Sequence, residues 1–137
     1  MIVVDTNVWS ELARPQPDPR VIAWETSNLH LLWLSTIVLA EFRARAILLP
    51  EGRRRETIAA GIEKIVTSYS DRVLLFDDEC SKFYGRVLAS SRDRGRPIQA
   101  PDAMIAATAL RHGMRVATRD LNDFAGAGVV LIDPWTA

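Results

Sequence analysis

The chain opens with Met1-Ile2-Val3-Val4-Asp5-Thr6-Asn7, a short apolar run that ends on an acidic residue followed by two polar ones. An uninterrupted apolar run of this length, bounded by polar residues, is typical of a buried strand. The opening therefore predicts a first strand at residues 1–4, with Asp5 directly beyond its carboxyl end.

Outward from this strand, short apolar runs alternate with longer helical patterns. We predict further strands at residues 31–35, 73–76, 115–118 and 129–132. We predict helices at residues 7–13, 19–27, 36–49, 53–69, 78–92 and 102–112, and a helical turn at 120–124. Thr36 is expected to cap the third helix, which forms a hairpin with the fourth. Short strands separated by helices predict an α/β sandwich with a central, mainly parallel sheet.

The composition limits the class of protein. The chain has 137 residues, of which 48% are hydrophobic and 25% charged, so we expect a single domain over residues 1–137. The formal net charge is zero, so any nucleic-acid site must be a local patch. The single cysteine, Cys80, excludes an internal disulfide. No signal-peptide core and no apolar run of about 20 residues is present, so we expect a cytoplasmic protein without membrane contact.

Four acidic residues stand out by their positions. Asp5 and Asp120 each follow a predicted strand, and ligands of such sheets bind beyond the carboxyl ends of the strands. Glu41 interrupts an apolar helix pattern, and Asp102 opens a predicted helix. Carboxylates in such places are costly unless a cation neutralises them. No histidine or cysteine lies at ligand spacing, so an all-oxygen site for Mg²⁺ or Mn²⁺ is favoured over one for Zn²⁺.

Each acid also has an ordinary explanation. Asp5, Asp102 and Asp120 sit where acidic residues commonly cap a helix or turn. Glu41 has Arg45 one helical turn away and can form an ion pair with it. It is the occurrence of four such acids on four elements that favours a metal site.

Several polar residues next to the acids each have two alternative roles. Asp123 is either a fifth ligand or a solvated turn residue. Thr6, Asn7 and Thr118 either orient the carboxylates or make ordinary caps and turns.

Four segments, in order, resemble those of the PIN-domain ribonucleases, specifically the VapC-like toxins of bacterial toxin–antitoxin pairs. They are the opening Met-Ile-Val-Val-Asp-Thr-Asn-Val-Trp-Ser-Glu, Leu-Ala-Glu-Phe-Arg at 39–43, Asp-Ala-Met-Ile-Ala-Ala-Thr-Ala at 102–109 and Val-Ala-Thr-Arg-Asp at 116–120. Asp-Thr-Asn alone is a weak motif, but four segments in order at the right intervals are specific. The resemblance covers essentially the whole chain.

The resemblance implies a PIN fold and a catalytic Mg²⁺, replaceable by Mn²⁺, held by Asp5, Glu41, Asp102 and Asp120. Asp123 occupies the family's usual fifth acidic position. It implies endonucleolytic hydrolysis of RNA and a cognate antitoxin, a DNA-binding protein encoded nearby whose tail blocks the site. Toxin homodimers and larger toxin–antitoxin assemblies are also implied, with operator DNA bound only through the antitoxin.

Arginines near the acids are candidate contacts for RNA or the antitoxin. Arg43 follows Glu41, and Arg94 and Arg96 lie in the loop before Asp102; local pairing or solvation is the alternative for each. The dense cluster at residues 53–55 could hold phosphate or an acidic stretch of the antitoxin, but Glu51 and Glu56 flank it, so a solvated helix start is the better interpretation.

Two other classes of function compete with an active nuclease. A non-catalytic PIN module would serve only as the antitoxin's partner in a DNA-bound repressor complex, but the intact acidic set argues against it. A haloacid-dehalogenase-type phosphatase needs a second Asp where this chain has Asn7. Neither a P-loop nor a Gly-x-Gly-x-x-Gly motif is present.

Overall fold

The computed structural model describes residues 1–137 and is built around a five-stranded sheet in the order β3-β2-β1-β4-β5. Each strand is parallel to its neighbours. The prediction of an α/β fold with a mainly parallel sheet is therefore confirmed. The strands are β1 Ile2–Val4, β2 Leu32–Ser35, β3 Val73–Leu74, β4 Arg115–Ala117 and β5 Leu131–Ile132.

Helices connect the strands and flank the sheet. They are α1 Thr6–Leu12, α2 Pro19–Asn28, α3 Thr36–Ile47, α4 Arg53–Ser68, α5 Asp78–Asp93, α6 Ala100–Arg111 and α7 Leu121–Phe124. A short 3₁₀ turn, Leu29–Leu31, precedes β2 and takes the place of the predicted start of that strand. No helix combines the length and apolar character needed to cross a bilayer.

The central strand β1 determines where a site can form. All three of its residues are fully buried, as its uninterrupted apolar run predicts. The chain first adds β2 and β3 on one side of β1 and then returns to add β4 on the other side. Such a reversal of strand order opens a crevice beyond the carboxyl ends of the two strands, here β1 and β4.

One predicted cap and three predicted helix starts were wrong by one or two residues: the cap of α3 and the starts of α1, α6 and α7. Ser35, not Thr36, caps α3: its hydroxyl accepts a bond from the Val38 amide at 3.1 Å. The Thr36 hydroxyl instead accepts a bond from the Phe76 amide at 3.1 Å, which ties the segment after β3 to α3. Helix α6 begins at Ala100, because Pro101 suits a first turn, so Asp102 lies inside that turn.

Strands β3 and β5 are two residues shorter than predicted, and the other three strands are one residue shorter. Strand β3 ends at Leu74 rather than at Phe76, because the Phe76 amide bonds to a threonine hydroxyl instead of a neighbouring strand. Strand β5 begins at Leu131 rather than at residue 129, following Gly128, whose φ of +83° belongs to a turn.

The predicted α3–α4 hairpin is present and packs against the end of α1. Arg43 of α3 pairs with Glu63 of α4 at 3.3 Å. Gly61 lies so close to α1 that a Cβ there would be 2.5 Å from the Ala13 carbonyl oxygen. This close approach sets the spacing between α1 and the hairpin.

Candidate active site

Asp5 lies at the end of β1 and its two carboxylate oxygens have different partners. Oδ1 accepts a bond from the Thr6 amide at 2.7 Å, as expected for a cap of α1. Oδ2 accepts a bond from the Thr118 hydroxyl, also at 2.7 Å. The side chain is therefore both a helix cap and a fixed part of the crevice, and the residue is only 5% exposed.

Thr118 and Asn7 join the ends of β1 and β4. The Thr118 hydroxyl accepts bonds from the Asp120 amide at 3.0 Å and from Asn7 Nδ2 at 3.1 Å. Asn7 Nδ2 also donates to Asp120 Oδ2 at 3.0 Å, while its Oδ1 accepts from the Arg119 amide at 3.2 Å. Asp120 occupies the cap position of α7 but caps no amide, so capping does not explain it.

Glu41 reaches the same crevice from α3. Its Oε1 accepts a bond from the Thr6 hydroxyl at 2.8 Å. It forms no ion pair with Arg45, whose guanidinium donates instead to the Ser10 hydroxyl at 2.7 Å. Thr6 thus contacts two acids, Asp5 through its amide and Glu41 through its hydroxyl.

Asp102 faces the other acids from the first turn of α6 and accepts no hydrogen bond from the protein. Its pKa is raised to about 7, first by partial burial and then by the negative charges of Asp5, Glu41, Asp123 and Asp120, in that order of strength. Carboxylates that act on one group in this way share one electrostatic site. Asp123, on α7, is exposed but lies close enough to the cluster for its charge to act on Asp102.

Asp5 has a raised pKa for a related reason. Burial is the main cause and raises its pKa to about 6, against the opposing effect of the hydrogen bonds from Thr118 and Thr6. The negative charges of Glu41 and Asp120 add to the increase. Two acids with pKa values near neutrality, in one crevice, are typical of a functional site.

The chemistry of the donors fits a hard divalent cation, because carboxylate oxygens are the ligands that Mg²⁺ and Mn²⁺ prefer. No group of three or more acidic, histidine or cysteine side chains is positioned to hold a metal ion in this structure. Asp5, Glu41 and Asp120 each accept a hydrogen bond from a neighbouring side chain, whereas Asp102 accepts none.

The predicted arginine contacts lie in different surroundings. Arg43 is paired with Glu63 of α4 at 3.3 Å, and both side chains are exposed. The Arg94 side chain lies against Gly126 in the loop after α7, where a Cβ would be 3.1 Å from its Cδ. Arg94 and Arg96 make no ion pair.

For three arginines beside the crevice, the sequence interpretation favoured solvation or local pairing, or left the choice open. Arg45, Arg53 and Arg54 line a groove of about 830 Å³ that also borders Asn7. A sequence signal was present: Arg54, Ile58 and Ile62 recur every four residues and so lie on one face of α4.

Comparison with known proteins identifies the fold family. Residues 2–128 match the PIN domain. The chain therefore belongs to the PIN-domain family, as its four segments predict.

Relatives within the family match over almost their whole length. The chain is 41% identical to the VapC ribonuclease Y4jK of Sinorhizobium fredii, over 98% of each chain. It is 39% identical to the toxin FitB of Neisseria gonorrhoeae, over 98% of this chain and 99% of that one. The plasmid stability protein StbB of Pseudomonas syringae is 44% identical over the full length of both. The predicted resemblance to VapC-like toxins is thus confirmed.

Solved structures agree with this assignment. The crystal structure of FitAcB from Neisseria gonorrhoeae superposes with a TM-score of 0.89, at 39% identity and full coverage of both chains. The structure of FitAB bound to the IR36 DNA fragment also gives 0.89, at 40% identity over 98% of this chain and 96% of that one.

Proposed function

We propose that this chain is a Mg²⁺-dependent endoribonuclease and the toxin of a type II toxin–antitoxin pair. The observation that carries the proposal is the convergence of Asp5, Glu41, Asp102 and Asp120 from four elements on one crevice, with the pKa values of Asp5 and Asp102 raised by burial and by neighbouring acids. Relatives named as a ribonuclease and as a toxin support it.

In this proposal the four acids hold the cation, and Asp123 is a candidate for a further ligand. A divalent cation in an all-oxygen site supplies activation of water and stabilises charge on the phosphate, and Mn²⁺ replaces Mg²⁺. Thr6, Asn7 and Thr118 keep the carboxylates oriented through the hydrogen bonds described above.

Two of the acids, Asp102 and Asp5, gain or lose a proton near neutral pH. With a pKa of about 7, the Asp102 carboxyl carries a proton on a large fraction of molecules near neutral pH in the absence of a cation. Binding a divalent cation favours the ionised form and releases that proton. The cluster is therefore coupled to pH through Asp102 first and Asp5 second.

We further propose that a cognate, DNA-binding antitoxin inhibits the chain and that operator DNA is reached only through it. The solved FitAB complex on a DNA fragment supports this arrangement. RNA is the substrate, and a homodimer within a larger toxin–antitoxin assembly is the expected form in the cytoplasm. Arg94 and Arg96 are proposed RNA or antitoxin contacts; Arg43, paired with Glu63, is left out.

The same FitAB structure favours one alternative, a PIN module that acts only as the antitoxin's partner on DNA. The two functions separate in a cleavage assay with purified, antitoxin-free protein on mixed single-stranded and structured RNA. Mg²⁺, Mn²⁺ and EDTA are compared.

The assay has matched variants. Asp102→Asn removes an acid from the cluster, whereas Asp71→Asn removes one whose side chain is 80% exposed elsewhere. Cleavage that needs the cation, is lost in Asp102→Asn and persists in Asp71→Asn supports the nuclease. Folded wild-type protein that binds no divalent cation and cleaves nothing supports the partner module instead.

A further inference from the structure

The arginine groove is a concave surface between α1, α3 and α4, beside the acidic cluster. Its volume is about 830 Å³. Asn7 borders the groove and also donates to Asp120, so the groove opens directly beside the acids. A linear molecule that lies across the acids has this groove as a continuous path along the surface.

The charge of the groove is positive and mostly unpaired. Four arginines and one glutamate line it, and Arg14 is neutralised by that glutamate, Glu11, at 3.0 Å. Arg53 and Arg54 have no acidic partner within 4.0 Å. Because the formal net charge of the chain is zero, this is a local patch of the kind that a polyanion requires.

Arg45 is held in place without losing its charge. Its guanidinium donates to the neutral Ser10 hydroxyl at 2.7 Å, which connects α3 to α1 across the groove. A neutral partner fixes the side chain while leaving the full positive charge, and further N–H groups, for an incoming anion.

The floor of the groove is apolar and its rim is cationic. Phe42 and Ile62 form part of the floor and are only 1% and 2% exposed, whereas Ile58 is half-buried and contributes open apolar surface. The backbone of a nucleic acid is bound by cations, which the arginines at the rim supply. It is the unpaired arginine rim that favours the backbone.

We propose that this groove binds the sugar–phosphate backbone of single-stranded RNA next to the bond that is cleaved, with Arg45, Arg53 and Arg54 contacting phosphates. The inference rests on the proposed ribonuclease function and adds the path of the substrate. Each such contact contributes about 0.7 to the slope of log affinity against log salt concentration for a single strand.

The test measures RNA binding apart from cleavage. The protein carries Asp5→Asn to prevent cleavage, and a fluorescein-labelled, mixed-sequence single-stranded RNA is titrated by anisotropy at several salt concentrations. Adding Arg53→Gln with Arg54→Gln is expected to reduce the salt slope by about 1.4 and to weaken binding about 10- to 25-fold near 0.1 M salt.

The matched control is Arg43→Gln with Arg55→Gln, which removes the same charge from the same hairpin at positions that do not line the groove. The control is expected to retain most of the affinity and slope. In the cleaving protein, the groove variant is expected to raise KM with little change in kcat.

Other results overturn the inference. Equal losses of RNA affinity in the groove variant and the control would show that binding depends on the net charge and not on the groove. If the groove variant binds RNA normally but loses affinity for an acidic peptide, the groove is a protein-binding surface and the inference fails. In that case, cleavage of RNA by the wild type would still support the proposed function. If wild-type protein neither binds nor cleaves RNA, the proposed function fails and the groove assignment with it.

Discussion

Asp5→Asn should make the folded protein more stable while removing its activity. An increase of the Asp5 pKa from 3.8 in the unfolded chain to about 6 means that the folded state disfavours the ionised form by about 3 kcal/mol. The residue is 5% exposed, so solvent screening reduces this value little. Asparagine carries no charge and avoids the cost.

The gain is partly offset by a lost hydrogen bond. Asparagine keeps an oxygen for the Thr6 amide, but its NH₂ group cannot accept the bond that Thr118 donates. Losing that bond costs about 1 kcal/mol, so the net gain near pH 8 is about 2 kcal/mol. In urea this moves the unfolding midpoint upward by about 1 M.

The sign of the pH dependence follows from the raised pKa. The wild-type carboxyl is protonated in both states below about pH 3.8 and costs nothing there; stability is lost as pH rises through about 6. At about pH 4.5 the cost is only about 1 kcal/mol, which matches the lost hydrogen bond. Wild type and Asp5→Asn should therefore be about equally stable at that pH and separate as pH increases.

The assay is urea unfolding followed by circular dichroism, at both pH values, in EDTA. Asp71→Asn is the control and should change stability by less than about 0.5 kcal/mol, since its side chain is 80% exposed. If Asp5→Asn is destabilised by the same amount at both pH values, Asp5 is not a repelled carboxylate and the reasoning fails. With Mg²⁺ in place of EDTA, the wild type and Asp71→Asn should both gain stability, whereas Asp5→Asn should not.

Three further predictions concern other residues. Thr118→Val should abolish cleavage and raise the pKa of Asp5 further, whereas Thr118→Ser, which keeps the hydroxyl, should retain activity; NMR titration of the Asp5 carboxyl and cleavage rates test both. Gly61→Ala should destabilise the fold by about 1–3 kcal/mol, because its Cβ would be 2.5 Å from a backbone oxygen of α1. Gly85→Ala, in open space within α5, should instead stabilise by about 0.5–1 kcal/mol, and equal urea midpoints for the two would contradict the packing. Mg²⁺ binding should weaken between about pH 8 and pH 6 as Asp102 takes up its proton, with proton release seen by calorimetry in two buffers; binding that is independent of pH would exclude that coupling.

The sequence predicted those features that short-range patterns determine. The apolar run before Asp5 identifies β1, and the order of strands and helices indicates the sheet. It did not distinguish Ser35 from Thr36 as the cap of α3, because adjacent hydroxyls satisfy the same local rule. The contact between Thr6 and Glu41 joins elements that are distant in sequence, so no local rule contains it.

The arginines illustrate the same limit. Arg43 and Arg45 are two positions apart on α3, which turns them about 200° from each other around the helix axis. One pairs with Glu63, and the other bonds to Ser10 and lines the groove. The sequence shows that they point in different directions, but only the packing of α1 and α4 decides which one lines the groove.

The link between Asp5 and Thr118 has a consequence for the newly made chain. These residues are 113 positions apart, so the two halves of the crevice leave the ribosome at different times. At about 5–20 residues per second, roughly 6 to 23 s separate their synthesis. During that interval the acids on β1 and α3 have no β4 beside them, so the crevice is incomplete until β4 has been made. In the proposed toxin–antitoxin pair, an antitoxin already present therefore has time to bind each molecule as its crevice first forms.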